Sequence, residues 1–223
     1  MSEFIFMLTQ DDQTVVDALS VYDEVRGAPL HYVGFKDIGQ PANVLRELTT
    51  RIHDDGRTAV LEVVSIDRDS EVQSIQTGLE MGVDLLMGGT HPDDALPLLR
   101  GSHVRYFPFP GRIVGHPSVL MGSIEEIAES ARELTSRPGV DGLDVLAYRH
   151  DGDVPDLITR VIGASSGPVV VAGSIDSAER IRTVSRAGAW GFTVGGAVFE
   201  RAFVPGGSLR HQVEEVLRLA EET

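Results

Sequence analysis

The chain has 223 residues, of which 42 % are hydrophobic, and its formal net charge is −15 at pH 7. This composition is typical of a globular protein, and the negative charge without any basic cluster argues against a nucleic-acid partner. The sequence has no apolar run near 18 residues, no basic signal-peptide start and no cysteine, which argues against a membrane partner, secretion, disulfides and thiolate chemistry. We therefore expect a cytoplasmic protein.

Short apolar runs recur along the whole chain and alternate with amphipathic segments. The runs cover residues 4–9, 31–35, 59–65, 83–89, 104–109, 143–148, 168–173 and 190–196. Several are almost continuously apolar, which is typical of strands buried on both faces. Helical periodicity is found in residues 41–56, 122–139, 174–189 and 209–222, and residues 91–104 and 197–201 predict short helices.

Eight strands that alternate with helices favour parallel pairing. We predict a single (β/α)8 TIM barrel over residues 1–223, with a doubly wound open sheet as the alternative. No G-x-G-x-x-G motif follows the first run, which argues against dinucleotide binding. Because barrel active sites lie at the C-terminal ends of the strands, the candidate residues are those at which each apolar run stops.

Lys36, the only lysine in the chain, ends the second predicted strand. Alternation places it with Tyr32 and Gly34 on the face that points into the barrel, and it places Glu62 of the third strand on the same face. We therefore expect Lys36 and Glu62 to be neighbours. The competing interpretation is a purely structural ion pair, although buried pairs are seldom retained for stability.

Two chemistries suit an inward-facing lysine. Lys36 could form a Schiff base with a carbonyl substrate, as in an aldolase-like lyase. Alternatively, it could stay protonated and stabilise an enolate while Glu62 or Asp37 moves a proton, as in an isomerase or epimerase. Asp11, which follows the first strand, is a further candidate acid.

Small residues end the last two predicted strands. Gly173 and Ser174 follow the seventh strand, and Gly195 and Gly196 follow the eighth. Glycine lets the backbone approach a ligand closely, and the loops after strands 7 and 8 are the usual phosphate site of such barrels. We predict that these four residues bind a substrate phosphate.

Residues 168–200, PVVVAGSIDSAERIRTVSRAGAWGFTVGGAVFE, resemble the C-terminal quarter of ribulose-phosphate-binding barrels, which include the histidine-biosynthesis isomerase and cyclase. The resemblance implies that the same glycine loops hold a phosphate. The histidine-pathway enzymes use aspartates at the ends of strands 1 and 5. Here Asp11 follows strand 1, but strand 5 ends in YFPFPG without an acid, so their mechanism is not carried over.

Four loop residues are further candidates for substrate binding; the two arginines among them suit a second anionic group, whereas the histidines could simply be hydrogen-bonding loop residues. They are His91, Arg112, His116 and Arg149. The two histidines could instead join Asp11 and Glu62 in a metal site, but no H-x-H or H-x-x-x-H spacing supports this, so no metal or cofactor is predicted. The predicted ligand is a small phosphorylated carbonyl compound. A non-catalytic phosphosugar-binding barrel and a homo-oligomer remain open.

Overall fold

The computed structural model describes residues 2–222 and contains the predicted (β/α)8 barrel. Its strands are β1 Glu3–Met7, β2 Tyr32–Lys36, β3 Thr58–Val63, β4 Leu85–Gly88, β5 Arg105–Phe107, β6 Leu143–Val145, β7 Val169–Val171 and β8 Gly191–Val194. They form one parallel sheet in the order β6-β7-β8-β1-β2-β3-β4-β5. Backbone hydrogen bonds from Asp141 N to Tyr106 O (2.9 Å) and from Asp144 N to Pro108 O (3.1 Å) join its two ends. The open-sheet alternative is therefore wrong.

Helices follow the strands around the barrel. They are α1 Ala18–Val25, α2 Ala42–Asp54, α3 Arg68–Met81, α4 Pro92–Leu99, α5 Ile124–Thr135, α6 Val154–Ala164, α7 Ala178–Arg186, α8 Gly196–Phe199 and α9 Leu209–Glu221. Sequence periodicity located all of these except α1, α3 and α6. No helix within residues 2–222 is long and apolar enough to cross a membrane.

The hydrophobic residues form two groups, one on each side of the barrel wall. Outside, Val33 and Phe35 of β2 pack with helix residues such as Leu48. The group inside the barrel consists of Ile5, Met7, Val60, Leu85, Met87, Phe107 and Val170. A Cβ at Gly34 would meet the Sδ of Met7, which lies inside the barrel, so Gly34 is at an inward position. The alternation used to orient Lys36 therefore holds in β2.

Two antiparallel hairpins, neither of them predicted, cover the C-terminal mouth of the barrel. The first pairs Thr9–Gln10 with Gln13–Thr14, and the second pairs Arg112–Val114 with Val119–Met121. Asp11 and Asp12 form the turn of the first hairpin with φ angles of 49° and 62°, as a type I′ turn requires. The amide of Ser118 donates a hydrogen bond of 3.0 Å to Oδ2 of Asp12 and so joins the hairpins.

Candidate active site

A cavity of about 480 Å³ lies at the C-terminal ends of the strands. Lys36 and Glu62 line it, together with residues of both hairpins and of the loops after β7 and β8. The side chains of Lys36 and Glu62 are only 5 % and 4 % exposed. The charged amine at the base of this cavity is thus largely shielded from solvent, and its electrostatic interactions are stronger than they would be in bulk water.

Asp12 lies at the centre of the charged groups. Its Oδ1 contacts Lys36 Nζ and accepts a hydrogen bond of 2.9 Å from Arg149 Nη1, and its side chain is fully buried. Burial raises the pKa of Asp12, but Lys36, Arg149 and the Ser118 amide outweigh this effect and lower it to about 2. Asp12 is therefore ionised at neutral pH, and two cations share its charge.

Glu62 faces the same lysine, but its pKa is raised, whereas that of Asp12 is lowered. The strand register pairs Lys36 with Glu62, and Lys36 Nζ lies 3.5 Å from Glu62 Oε1. Burial raises the pKa of Glu62, and although Lys36 lowers it, the charge of Asp12 raises it again. Two carboxyl groups at one amine whose environments push their pKa values apart are typical of an acid–base site. Glu62 is the one suited to take up and release a proton.

The four residues of the predicted phosphate site all line this cavity. They are Gly173, Ser174, Gly195 and Gly196. At Gly173, where φ is 79°, an added Cβ would lie 2.9 Å from Nε of Arg149. Glycine is needed here because Arg149 passes over the loop to reach Asp12. The same arginine thus connects the glycine loops with the charged groups around Lys36.

Asp11 and His116 lie at the rim of the site. Asp11 lines the cavity but is exposed at the tip of the first hairpin, whereas the next residue, Asp12, points inward. His116 is half-exposed, and its Nδ1 lies 3.7 Å from Oδ2 of Asp12. The sequence therefore located the turn that supplies an acid, and of its two aspartates the structure turns Asp12, which was not singled out, towards Lys36.

Asp37 lies outside the cavity. Its carboxylate accepts hydrogen bonds from the Val64 amide (3.0 Å) and from the hydroxyls of Ser65 (2.7 Å) and Ser74 (2.8 Å). These bonds tie the end of β2 to the loop after β3 and to α3. Asp37 is the residue after Lys36, and the strand alternation that turns Lys36 inward turns Asp37 away.

His91 and Arg112 also lie outside the cavity. The Nδ1 atom of His91 is 2.7 Å from Oε2 of Glu71, a buried carboxylate that also accepts hydrogen bonds from the amides of Thr90 and His91. Arg112 is exposed on the second hairpin. Within residues 2–222, no group of three or more histidine or acidic side chains is arranged to hold a metal ion.

Three site residues were not identified from the sequence. Asp12 and Ser118 reach the site only through the hairpins, and no periodic pattern predicts such insertions. Asp144 of β6 is buried inside the barrel, and here a signal existed: its neighbours Leu143 and Val145 belong to the outer hydrophobic group, so alternation turns Asp144 inward.

Comparisons with known proteins extend the description of the fold. No family model matches the chain, and no curated protein sequence matches it. Solved structures do match, among them the tryptophan synthase alpha chain from Legionella pneumophila, with a TM-score of 0.67 and 14 % identity over 99 % of this chain and 92 % of that one. The structure of the Amycolatopsis orientalis BexX/CysO complex matches with a TM-score of 0.63 and 18 % identity over 100 % of this chain and 89 % of that one. Likeness at this level of identity shows a shared barrel fold. The relation to the histidine-biosynthesis enzymes stays a prediction.

Proposed function

We propose that the protein is an enzyme that acts on a small phosphorylated carbonyl compound, as an aldolase-like lyase that forms a Schiff base on Lys36. The arrangement of Lys36 carries this proposal. Its amine faces the cavity between an ionised carboxylate, Asp12, and a carboxyl group with a raised pKa, Glu62, which lies 3.5 Å away. An amine nucleophile needs a nearby group that removes its proton, and Glu62 is placed to do so.

Imine formation follows from these two partners. The Lys36 ammonium gives one proton to Glu62, and the neutral amine attacks the substrate carbonyl carbon to form a carbinolamine. Glu62 returns the proton to the carbinolamine hydroxyl, which leaves as water, and the nitrogen becomes a cationic iminium. Asp12 remains ionised beside this cation, so the iminium keeps the ion pair that the ammonium had.

Carbon–carbon cleavage then uses the same groups. Ionised Glu62 removes the proton of the substrate β-hydroxyl, the adjacent carbon–carbon bond breaks, and its electron pair moves into the iminium to give a neutral enamine and a carbonyl fragment. Glu62 protonates the enamine carbon, and water hydrolyses the resulting iminium to release the second product and regenerate Lys36. Each proton that Glu62 accepts is returned before turnover ends.

Several features support a phosphate site at the loops after β7 and β8. The loops after β7 and β8 carry glycine at the positions where phosphosugar barrels bind this group, and Arg149 lies against Gly173. The segment 168–200 resembles ribulose-phosphate-binding barrels, and tryptophan synthase alpha, whose fold is similar, belongs to that superfamily. These features favour a phosphorylated substrate over a neutral one.

An isomerase or epimerase is the second candidate, and one contact favours it. Lys36 Nζ is in direct contact with Asp12 Oδ1, and such an ion pair favours the ammonium over the neutral amine. In this alternative Lys36 stays protonated and stabilises an enolate, while Glu62 carries a proton between two substrate carbons. No covalent bond to the protein forms.

Borohydride trapping separates these candidates. We would incubate the protein with ribulose 5-phosphate, dihydroxyacetone phosphate or glyceraldehyde 3-phosphate, add borohydride and measure the intact mass. The chain has one lysine, so an adduct can lie only on Lys36 or on the N-terminal amine, and peptide mapping distinguishes them. We expect an adduct on Lys36 with at least one of these compounds.

Other outcomes would replace the lyase. Exchange of a substrate proton with deuterated solvent, without an adduct, would identify an isomerase. A thermal shift with these compounds, without adduct, exchange or turnover, would identify a phosphosugar-binding barrel. The borohydride-treated protein without a carbonyl compound is the control, and its mass must not change.

Glu200→Gln tests where the phosphate binds. The exposed Glu200 carboxylate lines the cavity, and its Oε1 would lie 3.8 Å from a Cβ at Gly196. Its charge opposes a phosphate at this loop, so the variant is expected to bind inorganic phosphate about two- to fivefold more tightly at low salt. Calorimetric titration measures the change. Glu133→Gln, an exposed position on α5, is the matched control. Unchanged or weaker binding by Glu200→Gln would place the phosphate elsewhere.

A further inference from the structure

Asp144 is a fully buried acid that the proposed chemistry does not use. Its exposed fraction is 0 %, and within residues 2–222 neither carboxyl oxygen has a hydrogen-bond partner. Leaving a buried polar group without a hydrogen-bond partner destabilises the folded protein. An apolar residue of the same shape would fill the same space and avoid this destabilisation. Packing therefore does not explain why an acid occupies this position.

The groups around Asp144 come from several elements. Its pKa is raised well above the ordinary value, first by burial and then by the charge of Glu62 on β3, and the charge of Asp12 raises it further. The positive charges of Lys36 on β2 and of Arg149 lower it, but they do not outweigh the other effects. On the neighbouring strands, β7 contributes Val170 in register with Asp144, and β5 contributes Phe107 inside the barrel. Both are apolar and offer no charge.

The charges of these groups balance at only one protonation level. Lys36 and Arg149 supply two positive charges, and ionised Asp12 supplies one negative charge. One further negative charge makes the cluster neutral, and either Glu62 or Asp144 can supply it. If both were ionised or both protonated, the barrel interior would hold an uncompensated charge, which is expensive in a water-excluded site.

We propose that Asp144 and Glu62 form a pair of buried acids that together hold one proton at neutral pH, which makes Asp144 a positioning residue for the proton chemistry at Lys36. Glu62 must be the ionised member of the pair when it accepts the proton of Lys36, so Asp144 holds the other proton at that step. The cluster stays neutral because the transferred proton moves only within it. Two interacting acids of this kind titrate as a unit. This role rests on the proposed function of Glu62, although the single proton of the pair does not.

Infrared spectroscopy tests the single proton of the pair without any substrate. At pH 7 the wild-type protein is expected to show the carbonyl band of one protonated carboxyl group. Asp144→Asn and Glu62→Gln should each lose this band, because the acid that remains must ionise to balance the two cations. Asp151→Asn, whose side chain is 95 % exposed, is the control and should keep it.

The two single variants make the experiment decisive. If Glu62→Gln keeps the band, Asp144 is an independent, permanently protonated acid, and the pair does not exist. Absence of the band in the wild-type protein would overturn the proposal even if neither variant folds. The kinetic readout is the pH dependence of adduct formation on Lys36, whose acid limb should move down by about one pH unit in Asp144→Asn. If no adduct ever forms, the lyase fails while the infrared result still decides the acid pair.

Discussion

Lys36→Arg is expected to abolish adduct formation and to lower turnover by about 10³-fold or more. Arginine keeps the positive charge beside Asp12, but its guanidinium remains protonated and cannot attack a carbonyl. Intact-mass analysis after borohydride treatment and measurement of kcat/KM check the two effects. Binding of inorganic phosphate should survive in the variant, because arginine keeps the positive charge and the glycine loops proposed to bind the phosphate are unchanged.

The same variant separates the lyase from the isomerase. An isomerase uses Lys36 only as a positive charge, so arginine should preserve a substantial part of its activity. Retained turnover in Lys36→Arg would rule out the Schiff base. Lys36→Met, which removes the charge as well as the nucleophile, is the companion variant. It should inactivate a lyase and an isomerase alike, whereas Lys36→Arg should inactivate only a lyase.

Asp12→Ala is expected to lower the free energy of unfolding by about 3–5 kcal/mol. The variant leaves Lys36 and Arg149 in the barrel mouth without their shared carboxylate, and it removes the acceptor of the Ser118 amide. Urea denaturation at pH 7 measures the loss. Asp11→Asn is the control, because Asp11 is the exposed neighbour in the same turn and asparagine tolerates its positive φ of 49°, so the effect should stay within about 0.5 kcal/mol.

The pH dependence of stability gives a second measure of Asp12. Its pKa is lowered from 3.8 to about 2 in the folded protein. The unfolded chain therefore binds the proton more tightly, and the stabilisation is fully present above pH 3.8 and is lost as the pH falls towards 2. We expect about 2–3 kcal/mol of unfolding free energy to disappear over this interval. Asp12→Asn should lack this part of the acid dependence, and an unchanged acid profile in Asp12→Asn would contradict the ion pair.

The candidate site was predictable where it depends on strand alternation. Lys36 and Glu62 face the barrel interior because their strand neighbours Val33, Phe35 and Leu61 pack outside. The same rule applied to β6 would have located Asp144, which was missed because the run around it was treated as simply apolar. The rule also explains why Asp37 is outside the cavity although it follows Lys36 directly.

Contacts between loops could not be predicted in this way. Arg149 bonds to Asp12 across 137 residues of chain, and Ser118 bonds to it across 106. Neither loop has a repeating pattern, and the two hairpins that bring these residues together are irregular additions to the barrel. The positions of the hairpins depend on packing against several other loops at the mouth of the barrel. A short segment of sequence does not contain that information.

Local sequence patterns are sufficient to predict the barrel, the inward position of Lys36 and Glu62, and the glycine loops after the last two strands. These features follow from local periodicity and from the repeated strand–helix order, both of which are written in neighbouring residues. Tertiary contacts place Asp12 rather than Asp11 against the lysine, bring Arg149 to the same carboxylate, and bury Asp144 in the barrel interior. The protonation of a buried group depends on all the charges around it, and here those charges come from distant parts of the chain.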